Sequence, residues 1–442
     1  MSVARLPAEA RRVLNASLLV GVFFGVDKLV ALARQILVAR YFGLDPVLDA
    51  YNTANNLPDL LFALISGGAL AMAFIPLLTE TLSREGRPAA WRLFSLVANL
   101  AFVVTAAGAA LLALNPLLFV QYVVAPGFEL PQQELVAELM RINLIATLLF
   151  SISGLTMGAL QSNQHFLLPA IAPVLYNVGQ IIGVTVLSPA LGIHGLAYGV
   201  ILGAALHLAI QVPGLIRYRF RWTPKLTVQD PAVRRVLRLM GPRVLTLGLL
   251  NLIFIANDNL ASHLGAGAVS ALAYGWLIMQ LPETVIGTAA GTALLPTLSE
   301  QFARGDRDGL RRLLRRAVGI LIVVLVPLTL LSLVLVRPAI RLVFEGRAFT
   351  ADDSELVILA SRMFLLGLLG HSLVDVAART FYAHQDARTP LWLAAVTLGL
   401  YVGLGVVLSE WMGFAGLALA NSLAFSTEAA LMLVILYRRK IL

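Results

Sequence analysis

Three ionisable side chains, Asp27, Lys28 and Arg34, fall inside one long apolar stretch near the start of the chain. An ionised group at mid-bilayer costs at least ~2.5–3.5 kcal/mol on insertion scales, so each must pair, reach an interface or face water. Asp27 and Arg34 share a helical face but lie about 10 Å apart at ~1.5 Å rise per residue, too far for direct contact. Neither Lys28 nor Arg34 has an acid four residues away. Arg34 therefore faces an aqueous cleft or pairs with another helix, with the cleft favoured; Lys28 divides evenly between the two. Asp49 follows in "LDAYNTANNLPDLL", as a hydrated loop acid or as part of a cleft rim. Asn52, Asn55, Asn56 and Pro58 give the next segment a polar, broken start, which at membrane depth is tolerated only against protein or water. The buried ionic groups of the first half are read as confined to segment one, Asp49 and Arg141, with Arg141 near a segment end. That set leans positive and points to an anionic ligand.

In the second half Asp375 and Arg379 sit four apart and can neutralise each other. Asp258, in "IANDNLAS", has no such partner. It binds a coupling cation or proton, or it hydrogen-bonds neighbouring helices. His207 and His371 lie on apolar helices and read as hydrogen-bonded core residues. No phosphate-binding glycine loop, HExxH or GxSxG elbow is present, and no metal-ligand spacing. Transport fits these residues better than catalysis.

The elements that hold them are transmembrane helices. Of 442 residues, 59% are hydrophobic and 13% charged, and there is no cysteine. Soluble domains average roughly 25% charged residues. About twelve segments, from 14–42 and 57–82 to 389–409 and 412–437, are long enough for the ~20 residues a span needs. The first reads as a span, not a cleavable signal. The net charge of +9 gathers in alternate loops. Arg5, Arg11 and Arg12 precede segment one, the stretch from Arg217 to Arg238 follows segment six, and Arg438, Arg439 and Lys440 end the sequence. Both termini are thus expected in the cytoplasm. Membrane lipids, not nucleic acid, are the expected partners of these clusters.

A shift of 221 residues aligns several landmarks. Gly192 and Gly195 of "GIHGLA" fall on Gly413 and Gly416 of "GFAGLA", Pro169 on Pro390 and Arg217 on Arg438. Each half then holds six spans and both halves start from the same face. The expected architecture is all-α, with six-helix lobes at 1–220 and 221–442 related by a pseudo-two-fold axis along the membrane normal. The proline-punctuated basic stretch 217–235 is the linker between them.

"ALARQILVARYFG", "GGALAMAFIPLL", "VAPGF", "LPAIAPVLYN", "LASHLGAGAVSALAYG", "LPETVIGTAAGTALLPTLSE", "VFEGRAFTADD" and "RTFYAHQDARTP" follow in an order that resembles the MurJ/MviN lipid II flippases of the MOP superfamily. The resemblance implies a flippase of the bacterial cytoplasmic membrane, not an enzyme. It would carry an undecaprenyl-pyrophosphate-linked peptidoglycan precursor outward by alternating access. Arginines in a central cavity are implied to hold the pyrophosphate, and the first-helix arginine matches Arg34. An earlier family arginine falls on Lys28 and a family aspartate on Asp49; Asn55 and Asn56 complete the expected substrate set. Other family arginines fall on Phe62, Ala63 and Leu277, so the cavity is less basic. Some members bind sodium. Asp258 and Asn421 match that site, but Tyr401 and Gly405 replace its other polar ligands. No cofactor is expected, and the driving force stays open between membrane potential, H+ and Na+. A monomer is expected. A flippase for another lipid-linked oligosaccharide and a MATE-like small-molecule exporter are the alternatives.

Overall fold

The computed structural model describes residues 8–65, 68–304, 307–384 and 386–442. Arg5 lies outside them. The described residues form helices, with one isolated antiparallel bridge between Gly346 and Phe349. The first half contains α1 (Ala8–Phe42), α2 (Pro46–Ala54), α3 (Asn56–Ile65), α4 (Gly68–Arg84) and α5 (Arg87–Leu114). These are followed by α6 (Leu130–Ser162), α7 (Leu167–Leu191) and α8 (Ile193–Arg217). The second half contains α9 (Pro231–Ala261), α10 (Ala268–Pro282), α11 (Ala289–Ala303), α12 (Arg307–Phe344), α13 (Ala351–Leu365), α14 (Leu368–Ala383), α15 (Arg388–Met412) and α16 (Phe414–Arg438).

Eight helices among the described residues are long and apolar enough to cross a membrane. A ninth span results if α13 and α14, bent by 44° at their junction, count as one. The expected spans at 14–42, 57–82 and 236–263 coincide with α1, with α3 and α4, and with α9, which are broken or charge-bearing. Along α12, Ile320, Val323, Val334 and Leu342 are exposed. Such a continuous apolar surface is stable against lipid and not against water.

Local sequence explains the breaks. Thr350 and Asp353 form a capping box at the start of α13, the Asp353 N–H donating to Thr350 Oγ1 at 3.2 Å and the Thr350 N–H to Asp353 Oδ2 at 2.8 Å. After Pro282, which has no N–H to give, the backbone widens into a π-helical turn over Glu283–Thr288. The 221-residue repeat is visible in backbone angles: Gly192 adopts φ 57°, ψ −136° between α7 and α8, and Gly413 adopts φ 60°, ψ −142° between α15 and α16. A Cβ on Gly195 would lie 2.4 Å from the Ser188 nitrogen, and one on Gly416 would lie 2.8 Å from the Ser409 nitrogen. Both halves therefore build the same tight turn.

Contacts divide the chain into two units, one holding the chain up to Tyr41 with Ala54–Val120 and Glu134–Asn251, the other Phe42–Thr53, Gln121–Gln133 and Leu252–Leu442. This division departs from a boundary at 220/221 for two reasons. The linker is stitched to α5: Trp91 Nε1 donates to the Tyr218 carbonyl at 3.0 Å, and Asn99 Nδ2 donates to the Thr223 and Lys225 carbonyls at 2.9 and 3.0 Å. Two loops of the first half bond within the second unit, where Gln132 Nε2 donates to the Pro46 carbonyl at 2.9 Å and Asn259 Nδ2 to the Val123 carbonyl at 2.7 Å.

In the first unit α7 and α8 touch backbone to backbone. A Cβ on Gly179 would fall 2.3 Å from Gly203 Cα, and one on Gly203 would fall 2.4 Å from the Tyr176 carbonyl oxygen. Gly203→Val should therefore lower stability by about 1–3 kcal/mol through overpacking. Gly399→Ala, in a helix with nothing within 4 Å of the new carbon, should be neutral or stabilising by up to ~1 kcal/mol. Thermal unfolding of the purified variants in detergent checks both. Outside the spans, Asp386 bonds the Thr389 hydroxyl and the Arg439 guanidinium, each at 2.6 Å. Burial works to raise its pKa, but these bonds outweigh it and hold the carboxyl at about 2. The group thus stabilises the fold fully above its unfolded value near 3.8 and loses that contribution as pH falls through about 2. Amide exchange at residues 438–442 should accelerate over that window and not between pH 7 and 5.

Candidate functional site: a polar pocket in the first half

The first unit contains a cavity of about 280 Å³ lined by α3, α6, α7 and α8. Its polar lining follows helical spacing. Asn55, just before α3, and Asp59 and Phe62 within it recur at i, i+4 and i+7, and Asn143, Thr147 and Phe150 do the same on α6. Such spacing turns each set to one face. Asn143 Nδ2 donates to Asn55 Oδ1 at 3.0 Å, while Asn143 Oδ1 is buried without a hydrogen-bond partner. Phe150 packs on Phe62, Tyr176 and His207 with ring centroids 5.6, 5.0 and 5.3 Å away. His207 is held from behind by Ser153 Oγ at 2.6 Å, and Gln211 Nε2 donates to that hydroxyl at 2.9 Å.

Asp59 lines this wall, and Arg34 lies outside the lining but near Tyr176. The Arg34 guanidinium and the Asp59 carboxylate are both near enough to the Tyr176 hydroxyl to act on it electrostatically. Arg34 is half-buried, its Nε lacks a hydrogen-bond partner, and no ion pair joins it to a carboxylate among the described residues. Asp59 lines the cavity from the first turn of α3. Pairing across water or through a ligand is the physical alternative to a direct salt bridge.

The other expected residues lie elsewhere. Lys28 is exposed, with Nζ 5.1 Å from the Phe24 ring centroid one turn earlier. Asp27 Oδ1 accepts from Asn177 Nδ2 at 2.9 Å and ties α1 to α7. Asn56 starts α3 and does not line the cavity. Asp49 belongs to the second unit and is fully buried. Its Oδ2 accepts the Gly267 N–H and its Oδ1 the Ser270 N–H, each at 2.7 Å, so it caps α10. Both are orphan donors at a helix N-terminus, where a carboxylate is favoured by the dipole as well. Gly267 itself has φ 80° and lies so close to Leu44 that a Cβ would meet its carbonyl oxygen at 2.8 Å. Arg141 Nε donates to the Ala113 carbonyl at 3.1 Å, at the end of α5.

Sequence reading placed the first half's ionic groups in segment one, Asp49 and Arg141; Asp59 adds to them and makes the pocket dipolar. Asn143, Tyr176 and His207 were not singled out as site residues either. The signal that would have found them is polar residues at four- and seven-residue intervals in otherwise apolar helices.

In the second unit Asp258 is buried and its Oδ1 accepts from Asn257 Nδ2 at 3.1 Å. Tyr401, fully buried, donates its hydroxyl to Asn257 Oδ1 at 2.8 Å. Asn421 Oδ1 lies 2.9 Å from His371 Nε2, and His371 stacks on Phe425 at 4.0 Å. Gly405 supplies no side chain and faces Leu260 and Leu417. Here the Asn421 amide oxygen is engaged by a ring nitrogen, and Tyr401 and Gly405 bring no carboxylate or amide beside Asp258. Asp375 and Arg379 pair at 3.1 Å, and the π-helical turn leads to Gly291, which packs directly on them.

A family model described as lipid II flippase MurJ matches residues 38–442. The chain belongs to the MurJ lipid II flippase family. It is 31% identical to the lipid II flippase MurJ of Burkholderia cenocepacia, covering 97% of this chain and 84% of that one. It is 30% identical to a probable lipid II flippase MurJ of Rhizobium meliloti, covering 93% and 78%. Among solved structures, a lipid II flippase MurJ in an inward closed conformation superposes with TM-score 0.83 at 23% identity over 96% of this chain and 89% of that one. An inward-facing MATE family multidrug transporter of the MOP superfamily superposes with TM-score 0.78 at 15% identity over 94% of each. The all-α transporter fold shared by MurJ and MATE proteins is therefore the fold of this chain, a multi-pass membrane protein. Against the family's arginines, Phe62 stands in the cavity wall and Ala63 and Leu277 are half-buried.

Asp49→Asn should leave one of the two N–H groups of α10 facing an amide NH2. A loss of about 1–3 kcal/mol is expected for a buried donor left unsatisfied. Hydrogen exchange at Gly267 and Ser270 should accelerate in the variant while exchange in α7 stays unchanged.

Proposed function

We propose that this chain moves lipid II from the cytoplasmic to the outer leaflet of the bacterial inner membrane by alternating access. Family membership supports the substrate. The observation that carries the mechanism is Arg34: a guanidinium at membrane depth, unneutralised by a direct carboxylate contact, beside a polar cavity. A planar guanidinium offers paired N–H donors that match pyrophosphate oxygens. Lys28 would act earlier, as an exposed point charge that draws the headgroup toward the helix. Asn55 would hydrogen-bond the headgroup from α3. Asp49 would serve the transport cycle indirectly, by holding α2 to α10.

The chain works as a monomeric transporter with no catalytic step and both termini in the cytoplasm. The membrane potential would drive its return. At 100 mV, inside negative, each positive charge moved is worth ~2.3 kcal/mol, which draws an emptied, positively charged cavity inward. No sodium step is included, since the residues at Tyr401 and Gly405 do not supply its ligands. A MATE-like exporter of organic cations is the second reading, and Asp59 favours it by placing an acid in the first half's pocket. Identity of 30–31% to MurJ relatives across nearly the whole chain outweighs it.

Complementation in cells depleted of their own lipid II flippase tests the reading. The wild-type chain should restore growth, Arg34→Ala should fail at equal membrane abundance, and Arg34→Lys should rescue in part. Full rescue by Arg34→Ala would remove the phosphate anchor. Drug resistance without rescue would favour the exporter.

A further inference from the structure

We propose that the pocket around Asp59 is a cation subsite that takes a primary ammonium group, the positive end of a headgroup whose anionic end is held by Arg34. The assignment of that ammonium to the headgroup peptide of lipid II rests on the flippase reading; the subsite itself rests on the geometry below.

Asp59 is the one carboxylate among the described residues that line the pocket. Asn143, only 2% exposed, lines the same cavity and keeps a buried amide oxygen without a partner, its nitrogen being occupied by Asn55. An acceptor buried without a partner costs about 1–3 kcal/mol, which a donor-bearing ligand would relieve. Aromatic rings continue the same faces, with Phe62, Phe150 and Tyr176 in a continuous row. A carboxylate, a carbonyl-type oxygen and ring faces together form a receptor for an ammonium ion, which donates three hydrogen bonds and is attracted to ring faces. The position of Asp59 in the first turn of α3 explains why a charge is tolerated there. It does not explain the orphaned oxygen of Asn143 or the aromatic wall.

Two alternatives fit less well. Among the described residues no group of three or more His, Asp or Glu side chains exists that would hold a metal ion. A cavity of about 280 Å³ is also several times the ~30 Å³ share of one water, far larger than a bare ion needs. A free organic cation would feel repulsion from Arg34, whose charge reaches the same tyrosine. A zwitterionic ligand satisfies both charges at once. The replacement of a family arginine by Phe62 is consistent with this division: a cation at that place would occupy Asp59 and close the subsite.

The test uses the full chain in nanodiscs. Binding is measured for lipid II carrying the free amine of its peptide and for the same lipid acetylated on that amine. Acetylation should weaken binding to the wild type by about tenfold or more, the value of a charge-assisted hydrogen bond. It should change binding to Asp59→Asn by less than about twofold. Phe62→Arg, which places a guanidinium in the cavity, should also lose the discrimination. An equal effect of acetylation in wild type and Asp59→Asn, no effect in the wild type, or full discrimination retained by Phe62→Arg would overturn the proposal. If neither lipid binds the wild type better than a neutral lipid, the flippase reading fails and methylammonium chloride decides the subsite. Thermal stabilisation of wild type beyond that of equimolar sodium chloride, absent in Asp59→Asn, supports the subsite. Equal shifts in the two proteins overturn it.

Discussion

Placing charge where there is little water constrains every other feature of this protein. Arg34 and Asp59 cannot stay ionised at membrane depth unless the helices around them leave a wet space or bring a compensating charge. The fold meets this demand with a cavity in which polar residues of α3 and α6 are followed on the same faces by aromatic rings. Both charges act on Tyr176, and its backbone is fixed by the glycine contact between α7 and α8. The position of the site thus depends on a backbone crossing that admits no side chain.

In the second unit several buried polar side chains are closed on partners. Asp49 is closed on two backbone N–H groups, Asn421 on His371, and Tyr401 on Asn257. Asp375 is neutralised by Arg379. Groups satisfied in this way stiffen the helices that carry them and present little to a ligand. Arg34 Nε and Asn143 Oδ1 lack partners, as do Ser354 Oγ and Ser372 Oγ in the second unit; the first unit is the better candidate for substrate contact because there an unpartnered group and a carboxylate line one cavity.

Much of this was legible in the sequence, for reasons of different strength. Hydropathy exposed the helices, and the 221-residue shift anticipated Gly192 and Gly413, because a positive-φ turn leaves a glycine as its trace. Arg34 was legible as an unpaired cation, since local partners are a matter of spacing alone. The role of Asp49 was not, because its partners at Gly267 and Ser270 are more than two hundred residues away and are backbone groups without a sequence signature. Asp59 was hidden by its neighbours: an acid after "NLP" reads as an ordinary first-turn residue, and only the facing Asn143 and Phe150 of α6 reveal the cavity. Family likeness supplied the substrate class, and the departures at Phe62 and Tyr401 changed meaning once their surroundings were seen.

The central claim is that Asp59 faces water inside the first half. The chain has no cysteine, so Asp59→Cys gives a single reporter. Labelling with a charged, membrane-impermeant thiol reagent in open membranes tests it directly. The account predicts rapid modification of Asp59→Cys, with Val323→Cys on the lipid-facing surface of α12 left unreacted. An Asp59→Cys protein that is folded, resists the charged reagent and reacts with a lipophilic maleimide would contradict it.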